Sequence, residues 1–154
     1  MDEELELNPS WSNRRRNRAA AFCYLFQWEM NRPDDLGRDL EDCLERLGAS
    51  TESFPYAVEL VDGVVTRLDS LDEKISELVK NWEFSRIAKT DLALLRLAVF
   101  ELLHRPDVPP VVAIDEAIEL AKTFSTDKSR KFLNGILDKL RGELDRPARE
   151  ALPE

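Results

Sequence analysis

The sequence predicts an all-α protein organised around one buried helix, and three observations lead to that prediction. Ten of the fourteen residues in 90–103 are apolar, and they cover nearly the whole circumference of a helix. A helix that is apolar all round is buried on all sides, and at about 21 Å it is too short to span a bilayer. The chain of 154 residues contains only five glycines. No run alternates between apolar and polar residues as a half-buried strand would.

The spacing of apolar residues, together with residues typical of helix starts and ends, predicts about seven helices along the chain. Gly48 is expected to end the second helix, and Pro55 is tolerated in the first turn of the third. Ser70-x-x-Glu73 is a capping box, which predicts the start of the fourth helix, and Trp82 is the last apolar residue of that helix. The predicted helices span residues 14–30, 36–47, 53–68, 70–82, 90–103, 111–124 and 127–140.

The sequence predicts a single helical domain over residues 14–141, with a tail on each side. Residues 1–13 carry four acids and no base, which predicts an acidic, flexible tail. Residues 142–154 are polar and predict a C-terminal tail that frays. No window has the basic and then apolar pattern of a secretory signal, and none is long and apolar enough to span a membrane.

No enzymatic site, metal site or cofactor is predicted. Cys23 and Cys43 form no C-x-x-C pair and lie inside helical patterns, so we expect reduced core residues in a cytoplasmic protein. His104 is the only histidine, which gives a zinc site almost no support. The chain has no glycine-rich phosphate loop and no nucleophile with a plausible histidine partner.

Positive charge is concentrated at two helix starts, although the whole chain carries a net charge of −9. Four arginines give residues 14–18 a charge of +4, and residues 125–141 carry +3. A strongly acidic protein repels nucleic acid overall, so any such binding must be local to these two clusters.

Basic residues at a helix N-terminus are unfavourable to the isolated fold, because that end already carries partial positive charge. A bound anion would complete both clusters, since free backbone N–H groups and bases together bind phosphate. A solubilising basic arm or a solvated helix face would explain the same residues without a ligand. The candidate anion-binding residues are Arg14, Arg15, Arg16 and Arg18 in the first cluster and Lys128, Arg130 and Lys131 in the second.

Three further residues stand out in the helical patterns, one aromatic residue and two glycines. Phe132 follows the second basic cluster and could stack on a nucleobase, although its spacing with Ile136 favours the core. Gly63 and Gly135 lie inside helical patterns, where each costs about 1 kcal/mol relative to alanine. Close helix packing is the expected reason for both glycines.

Two stretches of the chain carry the residue patterns of a known family. The first begins at Arg14 and reads RRRNR, followed by FCYLFQWEM. The second begins at Leu94 and reads LLRLAVFELLHRPDVPPVVAIDEAIELAKTFSTDKSRKFLNGILDKL. Together they resemble the bacterial transcription antitermination factor NusB over residues 14–140, with a loose match from 31 to 54.

This resemblance implies a fold of two helical bundles and a non-enzymatic role in transcription. The family binds boxA RNA together with the ribosomal protein NusE, within the antitermination complex of RNA polymerase. The arginines of the first cluster would be main RNA contacts, and Arg130, Lys131 and Phe132 would extend that surface. Asp91, in the first turn of the central helix, would face NusE. Lys128 stands where the family commonly has an acid, which shifts positive charge toward the last helix.

A second class of function remains open at this point. Some members of the family self-associate through the side that binds the partner protein. A helical interaction module that acts mainly as a homodimer, without RNA, is therefore the alternative. A cytosine methyltransferase fused to such a domain would need an additional α/β domain that binds its cofactor, and the 154 residues show no strand pattern.

Overall fold

The computed structural model describes residues 7–80 and 84–152, and this part of the chain contains helices but no strands. The all-α prediction is therefore confirmed, whereas Trp82 lies outside the described residues. Seven α-helices are present in these ranges, with one short 3-10 helix, Phe84–Arg86, before α5. The α-helices are Asn13–Met30 (α1), Leu36–Arg46 (α2), Pro55–Thr66 (α3), Leu68–Leu78 (α4), Lys89–His104 (α5), Pro110–Phe124 (α6) and Asp127–Glu143 (α7).

The chain divides into two compact units, the first ending at Gly63 and the second beginning at Val64. In the first unit, α1 packs against α2 through fully buried residues that include Tyr24 and Leu44. The Tyr24 hydroxyl donates a hydrogen bond of 2.9 Å to the Asp39 carboxylate. A buried hydroxyl thereby has the partner that its removal from water requires.

In the second unit, α5 packs against α4, α6 and α7, as its apolar circumference predicts. Leu95, Val99 and Leu102 are each at most 2% exposed, which confirms their predicted core positions. Arg96 interrupts the apolar run but is only 3% exposed, and its guanidinium forms two hydrogen bonds of 2.8 and 2.9 Å with Asp72. This bidentate ion pair lets α5 bury a charged residue without leaving it unpaired.

One predicted helix end is confirmed, and one predicted helix start is wrong. Gly48 follows α2 with φ 75°, the left-handed conformation that glycine adopts without strain. The fourth helix, however, begins at Leu68, so Ser70 lies inside its first turn and does not cap it. The Ser70 hydroxyl donates to the carbonyl oxygen of Arg67 at 3.0 Å. The capping-box pattern fails because α4 starts immediately after α3, before the pattern begins.

The described part of the C-terminal tail is held to the second unit, contrary to the fraying predicted for residues 142–154. The Arg146 guanidinium donates a hydrogen bond of 2.9 Å to the Pro106 carbonyl. The backbone carbonyl of Ala148 accepts one of 2.9 Å from the amide of Val111, in the first turn of α6. These bonds satisfy backbone groups that the α5–α6 loop and the start of α6 leave unpaired.

Candidate nucleic-acid interfaces

The first basic cluster lies at the start of α1, where the four arginines differ in exposure. Arg14 is exposed, whereas Arg15 and Arg16 are half-buried. The guanidinium carbon of Arg14 lies 3.8 Å from the centre of the Tyr56 ring, and that of Arg16 lies 5.5 Å from the centre of a second ring, Phe54. These cation–π contacts restrain long side chains that would otherwise be mobile. We call Arg14, Arg15 and Arg16 the arginine turn.

The backbone at this helix start is partly capped already. The Ser12 hydroxyl accepts a hydrogen bond of 3.1 Å from the Arg15 amide, so that N–H group is no longer available to an anion. The arginine side chains therefore contribute more to anion binding, and the backbone N–H groups less, than they would at an uncapped helix start. Within the described residues, the buried Nε of Arg16 has no hydrogen-bond partner.

Arg18 belongs to a different environment from the arginine turn. It is 4% exposed, and its guanidinium carbon lies 5.6 Å from the centre of the Tyr56 ring. This burial gives Arg18 a packing role within the first unit. The RNA contact predicted for Arg18 remains a prediction.

Replacing Arg18 by alanine is expected to lower the free energy of unfolding by about 2 kcal/mol, because a buried aliphatic stem and a cation–π contact are lost. The same change at exposed Arg14 should cost less than about 1 kcal/mol. Urea denaturation followed by circular dichroism measures both values. Equal losses at the two positions would contradict a packing role specific to Arg18.

Asn17, the residue that interrupts the arginines, has a structural function that sequence reasoning missed. It is fully buried, and its side-chain oxygen accepts a hydrogen bond of 3.0 Å from the amide of Ala57, in the first turn of α3. Its side-chain nitrogen donates to the Asn13 carbonyl at 2.8 Å. Asn17 thus caps a helix 40 residues away in the sequence, a role that no local pattern reveals.

The second basic cluster lies in the first turns of α7. Lys128 and Lys131 are exposed, while Arg130 is half-buried and forms an ion pair with Asp127. Thr126 is the N-cap, and its hydroxyl accepts a hydrogen bond of 3.1 Å from the backbone amide of Ser129. The lysines are thus directed to solvent from a helix start that is capped and ordered.

A cavity of about 150 Å³ opens beside this cluster. Most of its lining surface is apolar, and two of the seven lining residues, Arg86 and Lys128, are cationic. Phe132 is half-buried and lines the cavity, so its ring is neither fully in the core nor fully exposed. The lining residues are Arg86, Ile87, Ala88, Asp91, Lys128, Ser129 and Phe132.

Asp91 lies in the wall of this cavity, in the first turn of α5. It is 6% exposed, and its carboxylate accepts hydrogen bonds of 3.3 Å from the Ser125 hydroxyl and 3.1 Å from the Ser129 hydroxyl. Asp91 therefore ties the start of α7 to α5. The contact with a partner protein that the resemblance implies for Asp91 remains a prediction.

The Cys23 thiol and the potential metal ligands of the described residues lack the features that are typical of a reactive site. Burial raises the pKa of the Cys23 thiol to about 12, so the nucleophilic thiolate is rare at neutral pH. In residues 7–80 and 84–152, no three His, Cys, Asp or Glu side chains are grouped as metal ligands would be. No helix in the same ranges is long and apolar enough to cross a membrane.

The fold and these two surfaces define an all-α protein that carries clusters of cationic side chains at two helix starts. The model of the NusB family matches residues 15–141, and the chain belongs to that family. It is 46% identical to the transcription antitermination protein NusB of Desulforudis audaxviator over 127 residues, which cover 82% of this chain and 91% of the relative.

Solved structures of the family share the fold. NusB of T. maritima superposes with a TM-score of 0.76 at 39% identity, covering 90% of this chain and 93% of that one. A crystal structure of the antitermination factors NusB and NusE in complex with double-stranded RNA matches with a TM-score of 0.76 at 25% identity. That match covers 86% of this chain and 98% of the other.

Proposed function

We propose that the protein is a non-enzymatic transcription antitermination factor that binds boxA-type single-stranded RNA together with the ribosomal protein NusE. It acts in the cytoplasm, within the antitermination complex of RNA polymerase, and supports the transcription of ribosomal RNA. The observation that carries this proposal is the arginine turn, in which Arg14 and Arg16 are held over Tyr56 and Phe54. Membership of the NusB family supports it.

The arginine turn binds the phosphates of the RNA. Guanidinium groups bind phosphate oxygens through several N–H donors at once, and their contacts with aromatic rings reduce the entropy lost on binding. The Nε of Arg16 is buried and has no hydrogen-bond partner in the described residues, so a shift of this side chain toward a phosphate would satisfy it. Arg18 contributes mainly by packing at this helix start, and a direct contact of Arg18 with RNA would be a smaller contribution.

The start of α7 provides the second RNA-binding surface. Lys128, Arg130 and Lys131 supply positive charge for phosphates, and Phe132 supplies a ring on which a base stacks. The cavity beside Phe132 is large enough to take part of a planar base, and its mostly apolar wall is suited to one. The fall in RNA affinity with rising salt should therefore come from both helix starts.

One binding assay tests the proposal as a whole. The full chain is titrated with boxA-type RNA and with a scrambled RNA of the same composition, each with and without NusE. We expect boxA-type RNA to bind more tightly than the scrambled RNA, and NusE to increase that difference. Equal weak binding of both RNAs, together with a homodimer in sedimentation, would support the alternative interaction module instead.

The partner protein is proposed to contact the first turn of α5 and the segment that Asp91 holds. A ribosomal protein such as NusE is expected to be basic, which suits an acidic chain and speeds association at low salt. Since Asp91 is buried, it acts on this contact mainly by fixing Ser125 and Ser129.

Replacing Asp91 by asparagine is expected to weaken the capture of NusE several-fold and to lower the Tm, because two hydrogen bonds to a carboxylate are weakened. The matched control is Asp115→Asn, which removes an exposed acid from α6 and should change neither quantity. Pull-down with purified NusE and thermal denaturation measure the two effects. Capture of NusE by Asp91→Asn at the wild-type level would show that the interface lies elsewhere.

A further inference from the structure

Gly135 lies in the middle of α7, and no packing contact in the described residues accounts for a glycine there. The residue is exposed, and a Cβ added to it would meet no described heavy atom within 4 Å, apart from its two chain neighbours and its own helix backbone. The close helix packing predicted for Gly135 is therefore wrong. Glycine is among the least favourable residues for a helix interior, since it loses the most backbone freedom on folding.

The residues around Gly135 indicate which kind of ligand would occupy the open space beside it. At about 100° per residue, Lys128, Lys131, Phe132 and Gly135 fall on one side of α7. Phe132 lies one turn before Gly135 and lines the cavity with Lys128, while Lys131 is exposed beside it. The next acid along the helix, Asp138, is already paired with Arg141. This face is therefore cationic, next to a mostly apolar cavity, and it lacks a side chain at its centre.

We infer that Gly135 is a close-approach point for the sugar–phosphate backbone of RNA, which crosses α7 there after placing a base in the cavity beside Phe132. Glycine is the residue that allows another backbone to approach a helix most closely. The positive charge of Lys128 and Lys131 favours a polyanion over a protein segment at this position. The inference rests on the proposed function, and it adds a path for the RNA beyond the two basic clusters.

The test compares two single substitutions on the same helix. In Gly135→Ala, the added methyl group fills the approach point; in Gly142→Ala, the same change is made on the same side of α7, about 10 Å further along the axis. A Cβ at Gly142 also meets no described atom within 4 Å. Both variants should keep or raise the Tm, with Gly135→Ala gaining about 2–4 °C, because alanine is the better helix former.

RNA binding should separate the two variants. We expect Gly135→Ala to bind boxA-type RNA about tenfold more weakly than wild type, the penalty of inserting a methyl group into a close contact. Gly142→Ala should bind as wild type does. A bulkier variant, Gly135→Leu, should bind more weakly still, while circular dichroism reports an unchanged helix content. A variant that is more stable but binds RNA more weakly would indicate that the glycine is retained for the ligand and not for the fold.

Failure of this inference can be distinguished from failure of the proposed function. If wild type binds boxA-type RNA and the arginine turn is required, but Gly135→Ala binds at full affinity, only the path across α7 is overturned. If wild type does not bind RNA, both are overturned. Loss of NusE capture by Gly135→Ala at unchanged RNA affinity would assign the approach point to a protein partner and would also overturn the inference.

Discussion

Replacing Arg14, Arg15 and Arg16 together by alanine should remove most of the RNA affinity and flatten its salt dependence by about 2 in log–log slope. Each phosphate contact on a single strand contributes about 0.7 to that slope, so three contacts account for the change. The measurement is filter binding or fluorescence anisotropy with boxA-type RNA between about 50 and 200 mM salt. The slope counts ionic contacts directly, which a single dissociation constant does not.

The matched control for this variant keeps the charge and removes the guanidinium groups. With lysine at all three positions, the slope should stay close to that of wild type, while affinity falls because lysine has no planar donor fork. Stability should change little in the alanine variant, since better helix propensity and relief at the helix N-terminus offset the lost contacts with Tyr56 and Phe54. A Tm several degrees lower with an unchanged slope would show that the arginine turn belongs to the fold.

Replacing Leu95 by alanine should lower the free energy of unfolding by about 2–5 kcal/mol, the largest stability effect that we expect from one residue. Leu95 is fully buried in the middle of α5, so truncation removes apolar contacts and leaves a cavity that its neighbours fill only partly. Guanidinium denaturation measures the change, provided that the slope of the transition is the same in both proteins.

Leu103, near the end of the same helix, provides the control. It is 38% exposed, so Leu103→Ala should stay within about 0.5 kcal/mol of wild type. A loss below about 1 kcal/mol in Leu95→Ala would show that α5 is not the centre of the second unit's core. Similar losses at both positions would instead mean that helix propensity, not burial, governs the effect.

The basic clusters of α1 and α7 can be located from the sequence, but the sequence does not show which of their side chains reach solvent. Their basic clusters were visible because four arginines and a run of three cations are local features of the chain. Which of these side chains is available to a ligand depends on what packs against it. Arg18 is buried beside Tyr56, and Arg130 is paired with Asp127, whereas Arg14 and Lys131 reach solvent.

The sequence predicts the all-α class, the order of the helices, the burial of α5 and the positions of both basic clusters. Each of these follows from the spacing of residue types within a few turns, where helical periodicity relates sequence to structure directly. Features that depend on residues far apart in the chain become visible only once the helices are packed. Asn17 caps α3 across 40 residues, and Asp91 ties Ser129 to α5 across 38.

Gly135 is the clearest case of this division. Its place inside a helical pattern could be read from the sequence, and close packing was the ordinary explanation for it. Only the positions of the neighbouring atoms show that no side chain among residues 7–80 and 84–152 fills the space beside it. Helix periodicity describes which side of α7 a residue occupies, but whether another helix covers that side is set by the packing of the whole unit.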